Sequence, residues 1–143
     1  MPKSDKNILW LEEIDQGDLK LVGGKNAALG EIYSALEKKG IRVPNAFVLT
    51  ATAYYRFLED ARIKDSLEKI FARVDLNDLK QRRKAAARAR RMVLRTKWPR
   101  DLREEVIQAY RRLSRESNQT NTDVAVRSSV AAAQTIASSF PGQ

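Results

Sequence analysis

No cysteine and no histidine occur among the 143 residues. The first absence excludes disulfides and cysteine-based metal sites. The second removes imidazole as a general base, metal ligand or phosphoryl carrier. Long hydrophobic runs are missing too: no apolar stretch approaches the roughly 20 residues of a membrane-spanning helix. The start, Met1-Pro2-Lys3-Ser4-Asp5-Lys6, lacks the apolar segment of a signal peptide. A cytoplasmic protein without a membrane partner is therefore expected. What is present fits a globular chain, with 43% apolar residues and a length suited to one domain rather than two ordinary ones.

Acidic residues are in deficit. There are 18 against 27 Lys and Arg, for a net charge of +9 and a pI near 10. Such a field attracts nucleotides, nucleic acids or anionic lipid surfaces without choosing among them. The densest part is the run Gln81 to Arg91, extended by Arg95 and Lys97. One reading is a helix tracking a nucleic-acid backbone. The other is a solvated helix whose alanines, with Leu79 and Val93, face the core. No nucleic-acid-binding motif or aromatic stacking platform accompanies the run, so nucleic acid is not expected as a partner.

Local patterning predicts short strands at Ile8 to Leu11 and Phe47 to Leu49, the latter with Phe47 and Leu49 on one face. A polar turn, Asp15 to Asp18, separates the first strand from Gly23-Gly24. A helix is expected from Lys25, carrying Leu29, Ile32, Tyr33 and Leu36 at helical spacing and stopped by Gly40. Thr50 suits the N-cap of a short helix with Tyr54, Phe57 and Leu58. Ile63, Leu67, Ile70 and Phe71 form another apolar stripe. Asp75 or Asn77 should cap a longer helix from about Leu76 to Leu94. Trp98-Pro99 breaks it, with Pro99 in the first turn of the next helix, which carries Leu102, Val106, Tyr110 and Leu113. After a polar loop, Ser117 to Thr122, Asp123 to Arg127 is expected to be a strand with Val124 and Val126 facing the core. The stretch from Val130 to Ser139 has no clear period.

Two clusters a hundred residues apart carry the functional signal. In Leu21 to Gly30, Gly23 and Gly24 permit close backbone approach, the following helix directs N–H groups at an anion, and Lys25 adds a point charge. This is not a Walker A loop, whose spacing is absent. In Val124 to Ser129, Arg127 can bind a phosphate through two parallel hydrogen bonds, with Ser128 and Ser129 as supporting hydroxyls. Each cluster alone is a weak signal, and the simpler reading, a tight turn with a solvated lysine or an exposed arginine beside a serine turn, is favoured for each taken singly.

Taken in order, Val22 to Glu31, Val43 to Phe47 with Thr50, Ala53 and Phe57, Ala125 to Ser129, and Ser139-Phe140 with Gly142-Gln143 resemble the N-terminal ATP-binding domain of the phosphoenolpyruvate synthase and pyruvate phosphate dikinase family. The resemblance implies an α+β fold: the helix-rich first lobe of an ATP-grasp-type domain, with a few short strands. Residues 1–143 would form that single partial domain, with the second lobe, phosphohistidine domain and barrel domain absent. It also implies ATP as ligand, bound through Lys25 and Arg127, with Mg2+ held by ligands outside this chain. Family enzymes pass a phosphoryl group from ATP to a histidine on a mobile domain and then to pyruvate.

Several departures temper the resemblance. The family's Ala-Thr-Ala-Glu-Asp after Arg-Ser-Ser is here Val130 to Gln134, so Ala133 and Gln134 replace an acidic pair. The chain stops where the first lobe should meet the second, and it contains no histidine. No catalytic or metal-ligating residue is assigned, and phosphotransfer by the chain alone is not expected. Three readings follow: the ATP-binding portion of a phosphoenolpyruvate synthase-like phosphotransferase; a non-catalytic lobe docking a partner that supplies the second lobe and phosphohistidine domain; or a basic nucleic-acid-associated protein using the 82–97 helix.

Overall fold

The computed structural model describes residues 2–131. It is helix-rich, with one small sheet, in keeping with the expected α+β class. The chain divides into two compact units, Met1–Tyr54 with Glu104–Gln143, and Tyr55–Arg103.

In the first unit, β1 (Ile8–Trp10) pairs antiparallel with β2 (Phe47–Leu49), with Leu9 opposite Val48. The period-two alternation expected of strands buries Leu9 and Val48 and puts Phe47 and Leu49 on the opposite side. Below the sheet, Leu11, Ile14, Val22 and Ala27 complete the core. Each large aliphatic side chain so buried contributes about 2 kcal/mol.

Helix α1 (Leu19–Val22) leads through Gly23 into α2 (Gly24–Glu37). The helix expected from Lys25 is present, and its most buried positions lie beside the apolar stripe that marked it. Ala27 and Gly30 turn inward, while Leu29 and Ile32 are 41% and 50% exposed. The reason is proximity. A Cβ on Gly30 would stand 2.5 Å from the Ile14 carbonyl oxygen, so only the small-residue face can lie against that segment. Gly40 closes the turn that follows the helix, as expected.

Thr50 caps α3 (Ala51–Asp60) as expected: its hydroxyl accepts from the Ala53 amide at 3.2 Å and donates to the Lys6 carbonyl at 2.7 Å. The boundaries between the units fall within α3 and within α6 (Arg100–Glu116). Pro99 stands immediately before α6 rather than inside its first turn, accepting from the Arg103 amide.

Within the second unit, α4 (Lys64–Phe71) packs on α5 (Leu79–Arg95). The cap of α5 is Asp78, not Asp75 or Asn77. The Asp78 carboxylate accepts from the Lys80 and Gln81 amides at 2.8 and 3.0 Å, whereas Asp75 closes a local turn by accepting from the Asn77 amide. Ala85 and Ala89 are buried on the inner face of α5, but Leu79 and Val93 are exposed, contrary to expectation. Phe57 and Trp98 stack in a tilted pair with centroids 5.6 Å apart.

The expected strand at Asp123 to Arg127 is not observed. The segment is irregular, with Val124 48% and Val126 92% exposed. A strand requires a neighbouring ladder, and among the described residues the only sheet is β1–β2. The sequence matches at Ser139-Phe140 and Gly142-Gln143, the Ala133-Gln134 substitution and most of the Val130 to Ser139 stretch lie outside the described residues.

Candidate functional site

The two sequence clusters meet in the first unit. Gly23 is buried at the junction of α1 and α2, with φ 79° and ψ 159°, a conformation that strains any residue bearing a Cβ. Its amide donates to Leu19 and its carbonyl accepts from Ala27, ending one helix and starting the next. Against this junction lies the second cluster. The Ser129 hydroxyl donates to the Val22 carbonyl at 2.6 Å, across 107 positions of sequence. A Cβ on Gly23 would overlap Ser129 and stand 2.5 Å from the Val130 carbonyl oxygen.

The two glycines therefore differ in role. The space over Gly23 is filled by Ser129 and Val130, while among the described residues nothing lies within 4 Å of where a Gly24 Cβ would be. Gly24 is the first residue of α2 and Lys25 the second, both exposed. Arg127 and Ser128 are exposed and immediately precede Ser129. A helix start carries partial positive charge and N–H groups without intrahelical acceptors, and the N-cap of α2, Gly23, has no side chain with which to cap them.

Sequence reasoning assigned no role to Asn26. Its side-chain amide donates to the Val22 carbonyl at 2.8 Å, so that oxygen accepts from both Asn26 and Ser129. Asparagine in the first turn after a glycine pair was the available signal, but its acceptor lies on the preceding helix.

The turn leading into α1 is held by charge. Lys3 reaches Asp15 at 2.9 Å and the buried Asp18 at 2.8 Å. Hydrogen bonds to Asp18 and Asp15 raise the Lys3 ammonium above its ordinary pKa. The Lys3 contact, aided by the Gly17 amide, holds the Asp15 carboxyl below its ordinary value. Burial alone would raise Glu13, but hydrogen bonds from Lys6 and the Trp10 amide outweigh it and keep that carboxyl low. Nearby, the Arg112 guanidinium lies 3.9 Å from the Trp10 ring centroid and bridges Glu12 and Glu116.

The charge is unevenly shared. The Tyr55–Arg103 unit holds sixteen Lys and Arg against seven Asp and Glu, which is the whole excess of +9; the other unit has eleven of each. The Gly23–Lys25 and Arg127–Ser129 segments thus lie in a unit with no net formal charge.

Residues 19–143 match the family model described as pyruvate phosphate dikinase, AMP/ATP-binding domain. The chain belongs to this family. Its AMP/ATP-binding-domain relatives include phosphoenolpyruvate synthases of Synechocystis sp., 39% identical over 140 residues and 95% of this chain, and of Aquifex aeolicus, 37% identical over 141 residues and 99% of it. The phosphoenolpyruvate synthase of Escherichia coli is 35% identical over 136 residues, again 95% of this chain. The chain spans 17%, 16% and 17% of the length of these three relatives. Among the described residues, no helix is long and apolar enough to cross a membrane.

Proposed function

We propose that this chain is the first lobe of an ATP-grasp-type nucleotide-binding domain, and that Lys25 and Arg127 hold the phosphates of ATP. The observation that carries the reading is the Ser129 hydrogen bond to Val22, because it joins the lysine-bearing and arginine-bearing segments at the start of α2. Gly24 leaves room for an oxygen-rich ligand to approach the backbone. Lys25 supplies a compact charge and Arg127 a planar fork suited to two phosphate oxygens. In phosphoryl transfer such groups offset charge on the moving phosphoryl group, and positioning does most of the catalytic work.

Among the described residues, no cluster of three or more carboxylates could hold a cation. The Mg2+ that the family implies would take its ligands from outside this chain and would offset charge on the ATP phosphates. By family, the larger reaction is transfer from ATP, through a phosphohistidine, to pyruvate in the cytoplasm. The histidine would be supplied by other parts of the enzyme, since the chain has none.

A site of this kind grips phosphates more than the base, which sets its test. Binding of ATP should be weak, with Kd about 1 mM, or about 4 kcal/mol. In equilibrium binding, tripolyphosphate should compete with ATP and adenosine should not. Competition by adenosine equal to that by tripolyphosphate would place recognition on the base and refute the assignment.

A further inference from the structure

We infer that Ser129 and Gly23 form a latch that positions Arg127 for the phosphate site, with Ser129 as a positioning residue that need not touch the nucleotide. The inference rests on the proposed phosphate site but has a structural arm independent of it.

Three observations support the latch. The 123–131 segment has no strand or helix of its own, so its path depends on individual contacts. At its start, the Tyr110 hydroxyl donates to the Thr122 carbonyl at 2.9 Å. Near its end, Ser129 donates to the Val22 carbonyl, which Asn26 also engages. Arg127 lies between these two tethers, two positions before Ser129. Gly23 makes the second tether possible, since any Cβ there would overlap Ser129 and Val130. Its positive φ and its bare surface thus serve the same contact.

The acceptor adds specificity. The Val22 carbonyl belongs to the last residue of α1, three positions before Lys25 and across the Gly23 break. Fastening Ser129 there ties the arginine-bearing segment to the same junction that starts α2. Releasing it leaves Lys25 on its helix but removes one of the contacts that hold the arginine-bearing segment, and ordering that segment again on binding costs affinity.

The full 143-residue chain and its variants Ser129→Ala, Ser129→Thr and Gly23→Ala test this with two readouts. The first is the rate of limited trypsin cleavage after Arg127. The second is the ATP concentration giving half-maximal protection against thermal unfolding. Loss of one neutral hydrogen bond corresponds to about a five-fold change in an equilibrium. Ser129→Ala should raise both the cleavage rate and the required ATP concentration about five-fold. Gly23→Ala should do at least as much, and Ser129→Thr, which keeps the hydroxyl, should restore both.

Unchanged cleavage in Ser129→Ala and Gly23→Ala would overturn the latch whatever ATP does. Faster cleavage with unchanged ATP dependence would overturn the positioning role while leaving the contact in place. Absence of ATP protection in the parent chain would refute the phosphate site and the positioning role together, and the cleavage rates would still decide the contact. Failure of Ser129→Thr to restore either readout would also count against the hydroxyl.

Discussion

Substituting the two helical glycines of α2 that differ in surroundings should have opposite effects. At Gly30, a new Cβ would lie 2.5 Å from the Ile14 carbonyl oxygen and 2.8 Å from that residue's Cβ and Cγ2. One of these atoms is backbone, so relief requires moving the helix from the 11–14 segment. Overpacking of this kind costs about 3 kcal/mol, and alanine returns about 1 kcal/mol through helix propensity. Gly30→Ala should therefore destabilise the first unit by about 2 kcal/mol, lowering Tm by about 8 °C. At Gly24 a Cβ would meet nothing within 4 Å among the described residues, so Gly24→Ala should be neutral or stabilise by about 0.5 kcal/mol. Urea unfolding followed by Trp10 fluorescence in a Trp98→Phe background reads this unit, because Trp10 and Trp98 lie in different units. Equal midpoints for the two variants, or a more stable Gly30→Ala, would refute the close packing of α2.

Three further outcomes follow from the same contacts. Thr50→Val keeps the shape but removes the α3 cap and the donor to Lys6; it should cost about 2 kcal/mol, seen as a lower urea midpoint. For pH, the depressed Glu13 and Asp15 pKa values contribute stability above their ordinary values of 4.5 and 3.8, lost as pH falls through the lowered ones. The raised Lys3 pKa contributes stability below 10.5, lost as pH climbs through the raised value. A plot of Tm from pH 3 to pH 11 should thus fall at both ends, and Lys3→Met should flatten the alkaline edge and part of the acid one; parallel profiles would contradict the Lys3 pairing. The Ser129→Ala and Gly23→Ala cleavage rates described above complete the set.

Much of the fold was legible where a local signal decides it. The alternation around Leu9 and Val48, the Thr50 cap, the break at Trp98-Pro99 and the helix after Gly23 all depend on near neighbours in sequence. The errors share a cause. Asp75, Asn77 and Asp78 have similar capping chemistry, and only the turn geometry selects Asp78. The spacing of Leu29, Ile32, Tyr33 and Leu36 marked α2 as a helix without showing which face is buried, and the contact with Ile14 selects the Ala27 and Gly30 face. Val124 and Val126 alternate like a strand, but alternation supplies no pairing partner.

For the candidate site, the motifs singled out the residues without dividing their roles. Both glycines were expected to open the backbone to a ligand, whereas Gly23 accommodates Ser129 and Val130. That contact spans 107 positions, and no local rule exposes it. The short α1 and the Asn26 bond to its last carbonyl were missed because a four-residue helix leaves no periodicity to read.

The most direct test of the account is thermal unfolding of the chain with and without ATP, in the parent and in Lys25→Ala and Arg127→Ala. With Kd about 1 mM, 10 mM ATP should stabilise the parent by about 1.4 kcal/mol, raising Tm by about 5 °C. Either substitution should abolish this rise while leaving Tm without ATP nearly unchanged. Equal protection of the parent and both variants would contradict it.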